Sequence, residues 1–251
     1  SIVVSFAILA IGWFGYKQRP DVHNLVLAIT FLTVGLLDFV HALSFEGMPD
    51  FLSVNTVHKA ASFWIIARLV TAVGLLLVSL IPEGRPPSWL RPRVLALTSM
   101  AAVAALTLLV NYTSLFPTMF VEGDGLTSLK NGLEYLVMAI YAATILVLWQ
   151  RQVFSKRATI FLQAALLIGI FSELAFTLYD GAFDTYNFLG HIFKTVSFYF
   201  ILRAIFVSSL QQPYRELSQA QADLERSFES IGQALSSSLE LNQTLDLIVR
   251  L

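Results

Sequence analysis

The chain contains no cysteine and carries little charge. The absence of Cys among its 251 residues excludes disulfides, thiolate metal sites and thiol redox switches. Charged residues make up 13% of the chain, whereas a soluble domain carries about 25%. This charge is too sparse to cover a globular surface in water. The net charge of −1 provides no basic surface, so we expect no nucleic-acid partner.

Apolar sequence is what the chain has in abundance. Hydrophobic residues account for 56% of it, and the mean hydropathy is +0.70. Apolar segments recur at a length of about 20 residues, which is enough to cross a bilayer, and the alternation of a membrane barrel is absent. The seven segments are 1–16, 25–44, 60–81, 94–112, 132–150, 158–179 and 188–210. They predict an all-α polytopic membrane protein with seven transmembrane helices in the lipid bilayer.

The loops between these segments differ in charge. Loops one, three and five carry the basic residues Lys17, Arg19, Arg85, Arg91, Arg93, Arg151, Lys156 and Arg157. Loops two, four and six are mainly acidic. Because cytoplasmic loops are enriched in Lys and Arg, we expect the odd loops and the C-terminal tail in the cytoplasm and the N-terminus outside.

Several polar side chains lie inside these apolar segments, where they are costly unless they are paired. All fall in the outer half of the membrane on this orientation: Asp38, His41, Arg68, Glu173, His191 and Lys194. A buried Arg68 needs a carboxylate, and Asp38 and Glu173 are the two at suitable depth. Asp38 precedes His41 by three residues, so it could orient the imidazole. We predict a polar pocket among helices two, three, six and seven that opens outward.

The sequence is compatible with several ligands for this pocket. His41 and His191, with His58 as a third ligand, would suit Zn(II) or Cu(II). His41 and His191 could instead be the axial pair of a haem. A small organic ligand needs no ligating histidine. In the alternative interpretation, the histidines are hydrogen-bonded interfacial residues and the Asp38–Arg68 pair is structural.

The tail changes character after the last apolar segment. Residues 213–235 show a seam with heptad spacing, formed by Leu217, Leu224, Phe228, Ile231 and Leu235, with Gln221 as a polar break. This pattern is typical of a coiled coil and favours a parallel homodimer; the alternative is an amphipathic helix that folds back on its own chain. Residues 236–251 resemble the opening helix of a GAF domain. Both ends of the chain look cut, which indicates a piece of a longer protein.

Five segments together resemble a known family: 37–49, 63–68, 172–179, 187–194 and 197–199. They are similar to bacterial membrane-associated sensor domains of the third MASE type. The resemblance implies a sensor domain over residues 1–212 in the inner membrane, ahead of a histidine kinase or diguanylate cyclase. The segment would then not be an enzyme itself. The positions that match the family motifs are Asp38, His41, Trp64, Arg68, Glu173, Tyr179, Gly190 and His191.

Three classes of function are compatible with this pattern. The first is a sensor that binds a ligand in the outer pocket and passes a change through helix seven to the coiled coil. The second is a haem- or metal-binding membrane redox protein or enzyme. The third is a transporter, which the confinement of polar groups to one half of the membrane disfavours. We therefore expect a membrane sensory module.

Overall fold

The computed structural model describes residues 1–82, 84–151, 153–179 and 183–249, without the side chains of 212, 213, 236–247 and 249. Within this part the regular secondary structure is helical apart from a short hairpin and one isolated bridge, which confirms the all-α class. The elements are α1 (Ile2–Gln18), α2 (Val22–Leu43), α3 (Val57–Leu80), α4 (Pro92–Tyr112), β1 (Phe120–Val121), β2 (Gly125–Leu126), α5 (Ser128–Gln150), α6 (Lys156–Ala175), α7 (Thr185–Phe206), a π-helical turn (Val207–Gln211) and α8 (Gln212–Val249).

Most of the helices begin where a side-chain oxygen can accept a hydrogen bond from a free backbone N–H of the first turn, as N-caps do. Proline stands at the start of α4, where its missing N–H costs nothing. The capping residues of α2, α3, α5, α6 and α7 are Asp21, Thr56, Thr127, Ser155 and Asp184. The boundaries of the helices therefore follow from polar residues that flank the apolar runs.

The helices have the length and composition of membrane spans. In the described part of the chain, six are long and apolar enough to cross a bilayer: α2 to α6 and the helical stretch that starts at Thr185. Helix α1 is apolar but shorter, at 17 residues. The chain is a multi-pass membrane protein with six to seven such helices.

Six of the helices form a closed ring. In the order α1, α2, α3, α5, α6 and α7, each packs on the next, and α7 returns to α1. Helix α4 lies outside this ring against α2, and within it Val103 and Thr107 are the buried positions. The interior of the ring is mainly apolar, and the buried rings of Phe31 and Phe198 contact each other there. This ring positions the polar residues described below.

The chain divides into two compact units, Ser1–Ser209 and Leu210–Leu251. The second unit contains α8, whose helical backbone includes Pro213 at its second position, directly after the π-helical turn. The exposed apolar residues of α8 include the predicted seam residues Leu217, Leu224, Phe228, Ile231 and Leu235. The predicted start of a GAF-like domain stays a prediction, because most of its side chains and residues 250–251 lie outside the described part.

Candidate functional site

Buried polar residues gather at one end of the ring, which carries the loops 44–56 and 113–127 and the described residues 176–179 and 183–184. We call it the even-loop end. Its polar side chains come from the last two turns of α2 and α6, from the first three turns of α5 and α7, and from the first half of α3. They form two ionic clusters and a small cavity between them.

The first cluster, which we call the triad, consists of Asp38, Arg68 and Lys194. Oδ1 of Asp38 accepts a hydrogen bond from Nη2 of Arg68 at 2.8 Å and another from Nζ of Lys194 at 3.1 Å. All three residues are buried. The triad joins α2, α3 and α7 through one carboxylate that serves two cations, so it has one positive charge in surplus.

Aromatic rings surround the surplus cation of the triad. Nζ of Lys194 lies 4.0 Å from the ring centre of Trp64, and the Arg68 guanidinium carbon lies 4.8 Å from it. The ring of Phe198 lies against both cations, at 5.1 Å from Arg68 and 5.7 Å from Lys194. Because a cation over an aromatic face is stabilised by the ring quadrupole, these rings replace part of the lost hydration.

The second cluster has the opposite charge balance. Nζ of Lys130 lies 3.0 Å from Oε1 of Glu134, one helical turn away on α5, and it also donates to the backbone carbonyl of Phe176. The Glu173 carboxyl group from α6 contacts that of Glu134. Lys130, Glu134 and Glu173 are all buried. We call Glu134 and Glu173 the carboxyl pair; Lys130 is ion-paired with Glu134 and acts on Glu173 through space.

Tyr179 lies beside this second cluster, in the loop that follows α6. Nζ of Lys130 is 4.8 Å from its ring centre. Burial, and then the nearby Glu134 carboxylate, raise the pKa of the Tyr179 hydroxyl. The phenol therefore stays protonated and neutral.

A small cavity, the imidazole cavity, separates the clusters. Its volume is about 30 Å³, which is room for one or two water-sized groups. The lining residues are His41, Phe45, Glu46, Val57, Ala60, Ala61, Trp64, Phe176, Tyr179, Asn187 and His191. The ring centres of His41 and His191 are 6.3 Å apart, and the ring of Trp64 lies 5.3 and 5.2 Å from them. The buried indole N–H of Trp64 has no hydrogen-bond partner among the described residues.

The hydrogen bonds of the histidines assign their tautomers. Nδ1 of His41 lies 2.8 Å from the Ala60 carbonyl oxygen; because that oxygen can only accept, Nδ1 carries the proton and Nε2 keeps its lone pair. The opposite holds for His58, whose Nδ1 accepts from the Met119 amide at 3.0 Å, so its Nε2 carries the proton. His41 can therefore offer Nε2 to a metal ion, whereas neutral His58 cannot.

The structure separates the predicted site residues into these three groups. It brings Asp38, Arg68 and Lys194 together, whereas Glu173 joins Glu134. The expectation that Asp38 orients His41 is wrong, because the Ala60 carbonyl takes that role. His58 lines a different, more open cavity, of about 490 Å³. In the described part of the chain, no group of three His, Asp or Glu side chains is arranged to hold a metal ion.

Two residues of the second cluster were missing from the predicted site. Neither Lys130 nor Glu134 is among the predicted pocket residues. Their spacing of four residues places both on one face of α5, which was the available signal. Phe176 was also missed as the residue that links the clusters, with its ring 4.2 Å from Trp64 and 5.1 Å from His191.

The comparison with known families decides what this fold is. The model of the membrane-associated sensor domain MASE3 matches residues 1–213. The chain belongs to the MASE3 family. No curated protein and no solved structure matches the chain. As a MASE3 domain it is a membrane sensory module, which agrees with the expectation that this segment is not itself an enzyme.

Proposed function

We propose that this MASE3 domain is the input module of a bacterial inner-membrane signalling protein and that the imidazole cavity receives its stimulus. The observation that carries the proposal is the position of α7. This helix supplies His191 to the cavity wall and Lys194 to the triad, and the chain continues from it through the π-helical turn into α8. A change at the cavity therefore acts on the helix that leads to the tail.

Helix α7 is held on two sides at the level of the cavity. Lys194 binds Asp38 of α2, and the Gly190 carbonyl accepts a hydrogen bond from Ser172 Oγ of α6 at 2.9 Å. A ligand shifts an equilibrium only by binding one state more tightly than the other. In the two states we propose, α7 takes different positions relative to these two contacts. His191 lies on α7, so its position in the cavity would differ between the two states.

The proposed output is a parallel homodimer of α8. The seam residues Leu217, Leu224 and Ile231 are 60, 57 and 55% exposed in the single chain, and a second copy would bury them as a coiled coil. A shift or rotation of α7 would change the register or the facing of this seam. The domain that follows would be GAF-like, ahead of a histidine kinase or diguanylate cyclase.

For the occupant we propose a copper or zinc ion held by His41 and His191. Two imidazoles that bind one ion in line, at about 2.0–2.1 Å, place their ring centres about 6 Å apart, and the observed separation is 6.3 Å. This in-line geometry suits a two-coordinate copper ion, whereas zinc would need further ligands and a smaller angle between the imidazoles. The bond from His41 to the Ala60 carbonyl fixes its ring as outer hydrogen bonds do for metal ligands. A cavity of about 30 Å³ favours a single ion over haem, because a porphyrin is many times larger.

Disulfide cross-linking in native membranes tests the transmission step, since the chain has no cysteine of its own. Single cysteines would replace Leu217, Leu224 and Ile231, with Gln219→Cys as the control on the opposite helix face. We expect cross-links at the seam positions and a changed pattern when the metal is removed by a chelator. The same change should appear in His191→Ala without chelator. An identical pattern in all states would reject the proposal.

Metal analysis of the purified protein tests the occupant separately. Copper or zinc should co-purify with the wild-type chain and be lost in both His41→Ala and His191→Ala, while His58→Ala keeps it. Retention of the metal in His191→Ala would contradict the assigned ligands. Soret absorbance would show the haem-binding redox protein instead.

A further inference from the structure

The carboxyl pair presents more hydrogen-bond acceptors than the surrounding donors satisfy. Oε1 and Oε2 of Glu134 and Oε2 of Glu173 are buried without a hydrogen-bond partner among the residues that the structure describes. The Lys130 ammonium lies within ion-pair distance of Glu134 but also serves the Phe176 carbonyl. A buried acceptor that lacks a donor is costly, so the carboxyl pair needs a further hydrogen-bond donor.

The charged groups around the pair do not supply this donor. The charged groups that face it are Lys130 on α5, Arg68 on α3 and Lys194 on α7, and the neutral phenols are Tyr141 and Tyr179. Arg68 and Lys194 act on Glu173 through space, because their hydrogen bonds go to Asp38. Two ionised carboxylates in contact also repel each other.

We propose that Glu134 and Glu173 together bind one proton, which lies in a hydrogen bond between their carboxyl groups and makes the domain a proton-binding as well as a ligand-binding module. With this proton, Lys130 and the pair have no net charge. One carboxyl oxygen becomes an O–H donor, and the other carboxylate becomes its acceptor. The contact between the side chains then changes from repulsive to attractive.

The proton is coupled to the wall of the imidazole cavity. When it leaves, both carboxylates attract the Lys130 ammonium and compete with the Phe176 carbonyl for it. The ring of Phe176 packs 4.2 Å from Trp64 and 5.1 Å from His191. Proton binding at the pair therefore biases the position of the ring that covers the cavity. The proton site does not depend on which ligand fills the cavity.

Infrared spectroscopy of the full chain in lipid nanodiscs tests the proton directly. At neutral pH, exposed carboxyl groups are ionised, and Asp38 is ion-paired with two cations. We therefore expect one protonated carboxylic acid band that shifts in D₂O and disappears in Glu134→Gln and in Glu173→Gln. The control Asp124→Asn, at an exposed position in the turn between β1 and β2, should keep it. The proposal would be overturned if the wild type lacked the band or if the band persisted in both variants. It would also be overturned if sodium ions removed the band.

The fluorescence of Trp64 tests the coupling, in a background with Phe at Trp13, Trp89 and Trp149. Raising the pH until the infrared band is lost should change the emission of Trp64 over the same pH range. In Glu173→Gln, whose amide N–H replaces the acid O–H, the emission should not respond. An equal response in Glu173→Gln would overturn the coupling. Neither measurement involves α8, so failure of the proposed signalling route would leave both results interpretable.

Discussion

The two ionic clusters at the even-loop end contain the same kinds of group in opposite ratios. The triad has two cations on one carboxylate, and the second cluster has two carboxyl groups on one cation. The surplus cation of the triad lies against the faces of Trp64 and Phe198. A surplus carboxylate gains no such stabilisation from a ring face, because the face of an aromatic ring is negative. Aromatic packing can therefore stabilise the first cluster, whereas the second needs a proton.

Removing the charge of the triad's carboxylate should have the largest effect on stability. The variant Asp38→Asn leaves Arg68 and Lys194 buried without an anion, and such a change costs about 3–5 kcal/mol. We expect a large loss of folded protein and a lower unfolding midpoint in detergent, measured by denaturant titration. Lowering the pH cannot rescue this variant, because an arginine keeps its charge. Stability equal to that of the exposed control Asp124→Asn would contradict the triad.

Removing the cation of the second cluster should cost less. The variant Lys130→Met leaves Glu134 and Glu173 without a cation, but carboxyl groups can become neutral by binding protons. We expect a loss of about 1–3 kcal/mol at neutral pH, and the loss should shrink as the pH falls. Unfolding titrations over a pH series measure this. A loss that grows in acid would show that the cluster does not take up protons.

Gly190 links the two clusters, because it allows α7 to approach Phe176. A Cβ atom built at this position would lie 2.6 Å from the Phe176 ring, so Gly190→Ala must displace that ring or the helix. We expect a loss of about 1–3 kcal/mol and an altered Trp64 emission. The matched control is Gly132→Ala on α5, where nothing lies within 4 Å of the added atom and alanine favours the helix. Equal effects of the two variants would show that Phe176 can move freely.

The helices and the triad could be predicted from the sequence, whereas most of the second cluster could not. The apolar runs set the spans, and the depth of Arg68 narrowed its partner to Asp38 or Glu173. The choice between them depends on how α7 places Lys194 beside Asp38, which is a tertiary contact. Lys130 sits in the first turn of α5, where a lysine usually extends into water. Its burial follows from the end of α6, whose Phe176 carbonyl accepts its hydrogen bond.

The histidines show a second limit of prediction from sequence. Spacing suggested Asp38 as the partner of His41, because the two share a helix face. The structure gives that hydrogen bond to the Ala60 carbonyl on a neighbouring helix. The tautomer of His58 is fixed by the residue before the hairpin, because its Nδ1 accepts a hydrogen bond from the Met119 amide. Tautomers depend on such cross-helix contacts, and no local pattern encodes them.

The smallest effect should come from Glu173→Gln, although this change has the same form as Asp38→Asn. In both variants a carboxyl group becomes an amide of nearly the same shape. In the carboxyl pair the amide N–H can donate to Glu134 in place of the proposed proton, so we expect stability within about 1 kcal/mol of the wild type. In the triad an amide cannot balance two cations. The comparison is made by titrating both variants in the same detergent at neutral pH. If Glu173→Gln lost as much stability as Asp38→Asn, Glu173 would be ionised in the folded protein, and its charge would then balance the surplus of the triad through space.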